Sequence, residues 1–318
     1  MPRKPSSSSA TSQDIKKRSP WLTSFIILAF LFVLAYVFSA AISLIAGASS
    51  SGNVALIRIH GPIVVDSGVS SFDSGVSSTD VIQMIDSAVQ RGFTDFVFDI
   101  NSPGGSAVAS YEIAQKIKFL NAKNFTTIAV IRDVGASGAY WVASAAEEIY
   151  ANPLSITGSI GVYASYLDFA GLLSKYNVSY ERLVAGEMKD AGSPWRHLTD
   201  EERELFQKKL DLIHEEFISE VASNRNLSIE LVKEHADGFI MLGSEAKEQG
   251  FVDSLGTLED VKEHLAEVKG EPVEFYVFES KPSLAELLSR LKASFSFYSF
   301  SNHPRDYATP RFPAPSLS

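Results

Sequence analysis

Three short segments hold residue types that could do chemistry. Ser137 sits in Gly135-Ala136-Ser137-Gly138-Ala139-Tyr140, after an apolar run and at the head of a stretch of small residues. A serine at a helix N-terminus has its Oγ beside amides without intrahelical partners, and those amides favour a developing oxyanion. The same place also suits a plain N-cap serine. The run differs from Gly-x-Ser-x-Gly only at Ala139, so no α/β-hydrolase nucleophile elbow is read here. The second segment, Asn101-Ser102-Pro103-Gly104-Gly105, also follows an apolar run and precedes a helical pattern. Paired glycines there let backbone N–H groups turn outward around a bound oxygen, although an ordinary turn has the same composition. The third segment, residues 186–194, is loop-like and holds one lysine, Lys189, which by itself reads as a surface cation.

A serine nucleophile needs a base. The chain has no cysteine, so thiolate chemistry and disulfides are excluded. None of its six histidines, His60, His197, His214, His235, His264 and His303, has an obvious carboxylate partner in a motif setting. No two of them share metal-ligand spacing, so no metal site is expected. A neutral lysine is the remaining base. At an ordinary pKa of ~10.4 only about one lysine in two thousand is neutral at pH 7. Burial can lower that value by ~3–5 units, and a 3-unit shift costs about 4 kcal/mol. A Ser-x-x-Lys spacing occurs at Ser289–Lys292, but on an amphipathic stretch without a glycine-rich loop, and reads as chance.

Apolar periodicity supplies the elements that position these segments. Strands are expected at 53–59, 95–100, 126–131, from 148 and at 273–278. Helices are expected at 80–90, 106–120, 137–146, 199–223, 244–249 and 258–268. Thr199 and Glu202 have the spacing of a capping box. The β-α-β-α order with continuous apolar strands indicates an α/β fold with a buried parallel sheet. A Gly/Ser-rich near-repeat at 66–78 reads as a loop. The stretch 283–300 carries Leu284, Leu287, Leu288, Leu291 and Phe295 at helical spacing, followed by a polar, proline-containing end.

Residues 21–47 contain no charged residue and exceed the ~20 needed to cross hydrocarbon. Arg3, Lys4, Lys16, Lys17 and Arg18 all precede them, against one acidic residue, Asp14. The positive-inside rule therefore predicts a single anchor with a cytoplasmic N-terminus and an extracytoplasmic body. Ala46-Gly47-Ala48 would also suit a cleaved signal peptide, whose apolar core is normally shorter. The net charge is −10 although the first twenty residues are basic, so the body is strongly acidic and does not suit nucleic acid. The expected organisation is a basic tail at 1–20, an anchor at 21–47, a catalytic domain at 53–280 and a C-terminal tail at 281–318.

The motifs I-N-S-P-G-G at 100–105, G-A-S-G-A-Y-W-V-A-S-A-A at 135–146, I-Y-A-N-P-L-S-I-T-G-S-I-G-V at 149–162 and G-E-M-K-D-A-G-S-P-W-R at 186–196 occur together and in order. With residues 236–256, they resemble signal peptide peptidase A, a family of bacterial membrane-bound proteases of the Clp protease/crotonase fold. The resemblance covers roughly residues 53–267. It implies an α/β superhelix of repeated β-β-α units with no cofactor. Ser137 resembles the family's nucleophile, Lys189 its general base and Ser159 a serine that hydrogen-bonds that base. The amides of Gly104 and Gly138 resemble the oxyanion hole. Asn101 stands where aspartate is also common, and its side chain is not asked to do chemistry. Glu187 and Asp190 must point away if Lys189 is to be neutral. The resemblance implies hydrophobic signal-peptide remnants as substrates and a homo-oligomer with Ser137 and Lys189 meeting between subunits. The competing readings are a crotonase-like acyl-CoA enzyme, which uses oxyanion amides without a serine nucleophile, and a catalytically dead scaffold.

Overall fold

The computed structural model describes residues 20–47, 52–66 and 75–279. The expectations for the basic tail, most of the near-repeat and the C-terminal tail with its amphipathic stretch lie outside them. The chain divides into two units, 1–51 and 52–318.

The first unit contains helix α1, Pro20–Gly47, 28 residues without a charge. Its continuous run of described side chains, Ser24–Ser39, is exposed throughout. Counted on the described residues, no helix is long and apolar enough to cross a membrane.

The second unit runs through β1 (Val54–His60), β2 (Ile63–Val64), β3 (Val76–Ser77), α2 (Ser78–Gln90), β4 (Asp95–Ser102), α3 (Ala107–Asn121), β5 (Thr126–Ala136) and α4 (Gly138–Ser144). It continues with β6 (Glu148–Ala151), β7 (Ile156–Gly158), α5 (Ala170–Lys175), α6 (Asp200–Arg225), α7 (Ile229–Glu234), β8 (Ile240–Leu242) and α8 (Gly243–Glu248). The last elements are β9 (Ser254–Leu255), α9 (Leu258–Lys269) and β10 (Phe275–Phe278). The main sheet has the order β10-β1-β4-β5-β6-β9, with β7 on β5 and β8 on β7. Every pairing in it is parallel except β7 with β8.

Alternation along the central strands builds two cores. Ala55, Ile57 and Ile59 of β1 share one face with Phe96, Phe98, Ile100, Ala129 and Ile131, against α2, α3, α4 and α6. Val54, Leu56, Val97, Ile128 and Val130 face the other way, where Val261 and Leu265 of α9 cover them. Burial on both faces explains why β4 and β5 read as continuous apolar runs. Short side chains close the helix starts: Ser77 Oγ accepts the Asp80 N–H at 3.2 Å and Ser106 Oγ the Ala109 N–H at 3.4 Å. The capping box expected at the start of α6 is present between Thr199 and Glu202.

β5 runs five residues beyond its expected end at Ile131. Its first half pairs with β6, then Val134–Ala136 pairs with β7. Arg132 and Asp133 at the changeover are exposed, so no apolar pattern announced the extension. The β4–β5 register also shifts between Ile100 and Ser102. Asn101 fills that irregularity, its Oδ1 accepting the Val134 N–H at 3.2 Å. An aspartate could accept the same bond, consistent with a purely structural role for this side chain.

Candidate active site

Ser137 lies where β5 ends and α4 begins, with φ 55° and ψ −127°. A non-glycine residue held there costs on the order of 1–3 kcal/mol, so its surroundings must impose the conformation. The Ser137 N–H donates to Gly158 O at 2.8 Å and its carbonyl accepts the Trp141 N–H at 3.0 Å. Behind it, all seven residues of α4 are buried. Tyr140 Oη donates to Phe251 O at 2.8 Å, and Trp141 stacks on Phe217 with centroids 4.5 Å apart. Ser137 occupies the N-cap position but makes no side-chain capping bond. The plain N-cap reading therefore fails, and its half-buried hydroxyl is not spent on the helix.

The loop after β4 comes directly against this junction. Gly104 has φ 91°, and a Cβ there would stand 2.7 Å from Gly138 N and 3.0 Å from Ser137 Cβ. Only glycine permits both that backbone and that approach. A Cβ on Gly138 would meet the Oγ of buried Ser110 at 2.2 Å. The Gly104 carbonyl accepts the Ile63 N–H at 2.9 Å, which ties the loop to β2. Among the described residues the Gly138 N–H has no hydrogen-bond partner, as an oxyanion donor requires.

The structure thus brings Ser137, Gly104 and Gly138 together, with the Gly158–Ser159 turn alongside. Lys189 is not joined to them. It lies in a turn, its N–H donating to Gly186 O at 3.0 Å, and its side chain is exposed. The hydrogen bonds of its loop go to nearby residues of 169–202. Arg182 Nε and Nη2 grip the Asp190 carboxylate at 2.7 and 2.8 Å. Arg196 reaches the same carboxylate at 3.1 Å and donates to Glu202 Oε2 at 2.8 Å. These guanidiniums hold Asp190 well below the usual carboxylate range, and Arg196 with the Thr199 N–H brings Glu202 down to about 2. The Asp190 carboxylate is thus shared between two guanidiniums. Ser159, at φ 51°, donates its Oγ to Gly238 O at 3.0 Å rather than to the lysine.

The histidines are less isolated than the sequence indicated. His197 Nδ1 lies 2.7 Å from Asp168 Oδ2, and His60 Nε2 lies 3.3 Å from buried Asp99. The His197–Asp168 pair joins positions 29 apart, so no local motif marked it. Bonds from the Ala170 N–H and His197 hold the Asp168 carboxyl below its ordinary value. Among the described residues no cluster of side chains suits a metal ion.

An unspent serine hydroxyl in a strained strand–helix turn lies beside glycine backbone at the edge of a parallel-dominated α/β sheet. The chain belongs to peptidase family S49, whose family model matches residues 120–271. A candidate protease of Synechocystis is 38% identical over 190 residues, 60% of this chain and 68% of that protein. A candidate protease of Methanocaldococcus jannaschii is 40% identical over 186 residues, 57% of this chain and 60% of that relative. A chloroplast serine protease of Arabidopsis thaliana is 33% identical over 208 residues, 64% of this chain and 31% of its own length. The chain therefore spans about 60% of the archaeal relative and a third of the plant one.

Proposed function

We propose that this chain is a membrane-anchored serine endopeptidase in which Ser137 is the nucleophile and Lys189 the general base, the two supplied by different subunits of a homo-oligomer. The observation that carries this reading is the contrast between a prepared serine and a lysine with no bond to it. Ser137 has its strained turn and a free amide at Gly138, whereas Lys189 sits on an exposed segment braced by Asp190, Arg182, Arg196 and Glu202. Residues 161–199 expose large apolar side chains, including Tyr163, Leu167, Tyr176 and Leu183, which supports burial against another copy. Such burial would also favour a neutral lysine.

Neutral Lys189 of one subunit takes the Ser137 proton of its neighbour as Oγ attacks the scissile carbonyl. The Gly138 and Gly104 amides receive the oxyanion. The lysine then protonates the leaving amine, and water releases the acyl group. Ser159 Oγ, whose proton goes to Gly238 O, accepts an N–H from the incoming lysine on this reading. The charge-free α1 supports anchoring beside a membrane, with the N-terminus cytoplasmic and the body outside. An apolar peptide such as a spent signal sequence suits that setting. We also assign the sheet and its strand–helix units to the Clp protease/crotonase fold, which the short second strands after β1 and β6 support.

Co-assembly of Ser137→Ala and Lys189→Ala subunits tests the reading. Each homogeneous variant should be inactive, and the mixture should regain part of the turnover. Mixed oligomers that stay inactive would overturn the shared site.

His197 carries a second reading, because its pairing with Asp168 is the base half of a Ser-His-Asp arrangement. On that reading His197→Ala is as damaging as Ser137→Ala, whereas Lys189→Ala is tolerated.

A further inference from the structure

We infer that Ser102 is a positioning residue of the oxyanion loop, its buried hydroxyl setting the direction of the Gly104 amide; the inference rests on the role proposed above for that amide. The turn from β4 into α3 contains Gly104 and Gly105 in succession, with φ 91° and 157°. Two glycines in a row have almost no intrinsic orientation, so neighbouring groups must aim the peptide units between them. Two groups do so for Gly104. Its carbonyl accepts the Ile63 N–H at 2.9 Å, while its N–H donates to Ser102 Oγ at 3.1 Å. β2 thus fixes one end of the residue and Ser102 the other.

Ser102 is itself immovable. It is fully buried, and as the last residue of β4 it pairs with Gly135, two residues before the nucleophile. Its position is therefore set by the strand that leads into Ser137. The hydroxyl links the register of β4 and β5 to the orientation of the Gly104 peptide. Among the described residues its O–H proton has no acceptor, so the group is spent only on the Gly104 amide. A buried N–H without an acceptor costs on the order of 1–3 kcal/mol. The hydroxyl removes that cost in the resting site and holds the N–H in one direction, so that the tetrahedral intermediate's oxyanion shares a donor already oriented. Ser102 never touches the substrate and acts through the amide it orients. Neither the serine's type nor its place in Asn101–Gly105 assigned it a role, because the bond to Gly104 becomes visible only with the turn built.

The experiment uses the full-length assembled protein and an internally quenched apolar peptide. Removing one oxyanion donor slows an acyl-transfer enzyme roughly 10²–10³-fold. Loss of the group that aims the donor should therefore cost about tenfold in kcat, with KM within about twofold. Ser102→Ala is expected to show that split, together with slower fluorophosphonate labelling of Ser137. Ser102→Cys, which keeps the size but accepts hydrogen bonds weakly, should behave like Ser102→Ala. Ser102→Thr, which keeps the hydroxyl, should restore at least half of the turnover. The Cys and Thr pair carries the test if Ser102→Ala does not fold. Wild-type kcat in Ser102→Cys, or a loss confined to KM, would overturn the positioning role. Ser137→Ala is run alongside: if that variant stays active, the catalytic reading itself has failed. If Ser137→Ala is dead and Ser102→Cys fully active, only the present inference has failed.

Discussion

The junction of β5 with α4 and the segment 161–199 carry the two halves of the proposed chemistry under opposite physical conditions. At the junction every residue of α4 is buried, and two glycines sit where a single added carbon would collide with backbone or a hydroxyl. Packing holds Ser137 in a conformation that its own residue type disfavours. In 161–199 helix α5 buries none of its residues, and Leu183 is 96% exposed. The segment's side-chain ties are mostly polar: Asp190 between two arginines, Arg196 on Glu202, His197 on Asp168, with one ring contact between Phe169 and Trp195. A nucleophile built into a core is finished when its own subunit folds. A base on an ion-paired arm is finished only when something covers it.

The comparison breaks most directly at its catalytic ends. Ser137→Ala and Lys189→Ala should each lower peptide turnover by at least about 10³-fold while circular dichroism and melting stay unchanged. Retained turnover in a folded Ser137→Ala protein would end the reading. A Gly138→Ala substitution should cost about 10²-fold in kcat, because the added carbon must displace Ser110 beneath the free amide. Wild-type rates in that variant would show that the junction is looser than its contacts imply.

Variants in the arm should have smaller and different effects. Arg196→Ala removes the side chain that joins Asp190 to Glu202, so kcat/KM should fall about tenfold while the body melts at its usual temperature. An equal loss of body stability would mean that the arm belongs to the core. The same clamp has a defined pH dependence. Asp190 and Glu202 both lie below their ordinary values, so their contribution is complete above about pH 4–5. It is lost as pH falls toward the depressed values. Limited proteolysis within 182–196 should therefore accelerate below about pH 4, and cleavage that is equally slow at pH 3 and pH 7 would contradict the clamp. His197→Ala should change turnover less than about twofold; a hundredfold loss would favour the histidine base.

Much of this was legible in the residues. The apolar runs of β1, β4 and β5 are continuous because the sheet is covered on both faces, and the capping box of α6 needs only Thr199 and Glu202 three positions apart. The glycine- and serine-rich segments at 101–105 and 135–146 marked the strand–helix turns, because few other residues permit such turns. Local preference and periodicity suffice for features of that kind. The far half of β5 was not legible, since Arg132 and Asp133 interrupt the apolar pattern and the strand persists there by changing partners. Nor was the Asp168–His197 pair, whose members meet only after the arm folds back.

The sequence by itself determined the central strands, the longer helices and the identity of Ser137 and Lys189 as the residues to test. Chain spacing and side-chain type carry that information before any fold exists. Only the tertiary structure decided that Ser137 is strained and unspent, that Gly104 and Gly138 face each other across the junction, and that Asp190 is held between two guanidiniums. Those facts depend on distances between residues tens of positions apart. Close packing and hydrogen-bond direction set such distances, and no local pattern in the chain encodes them.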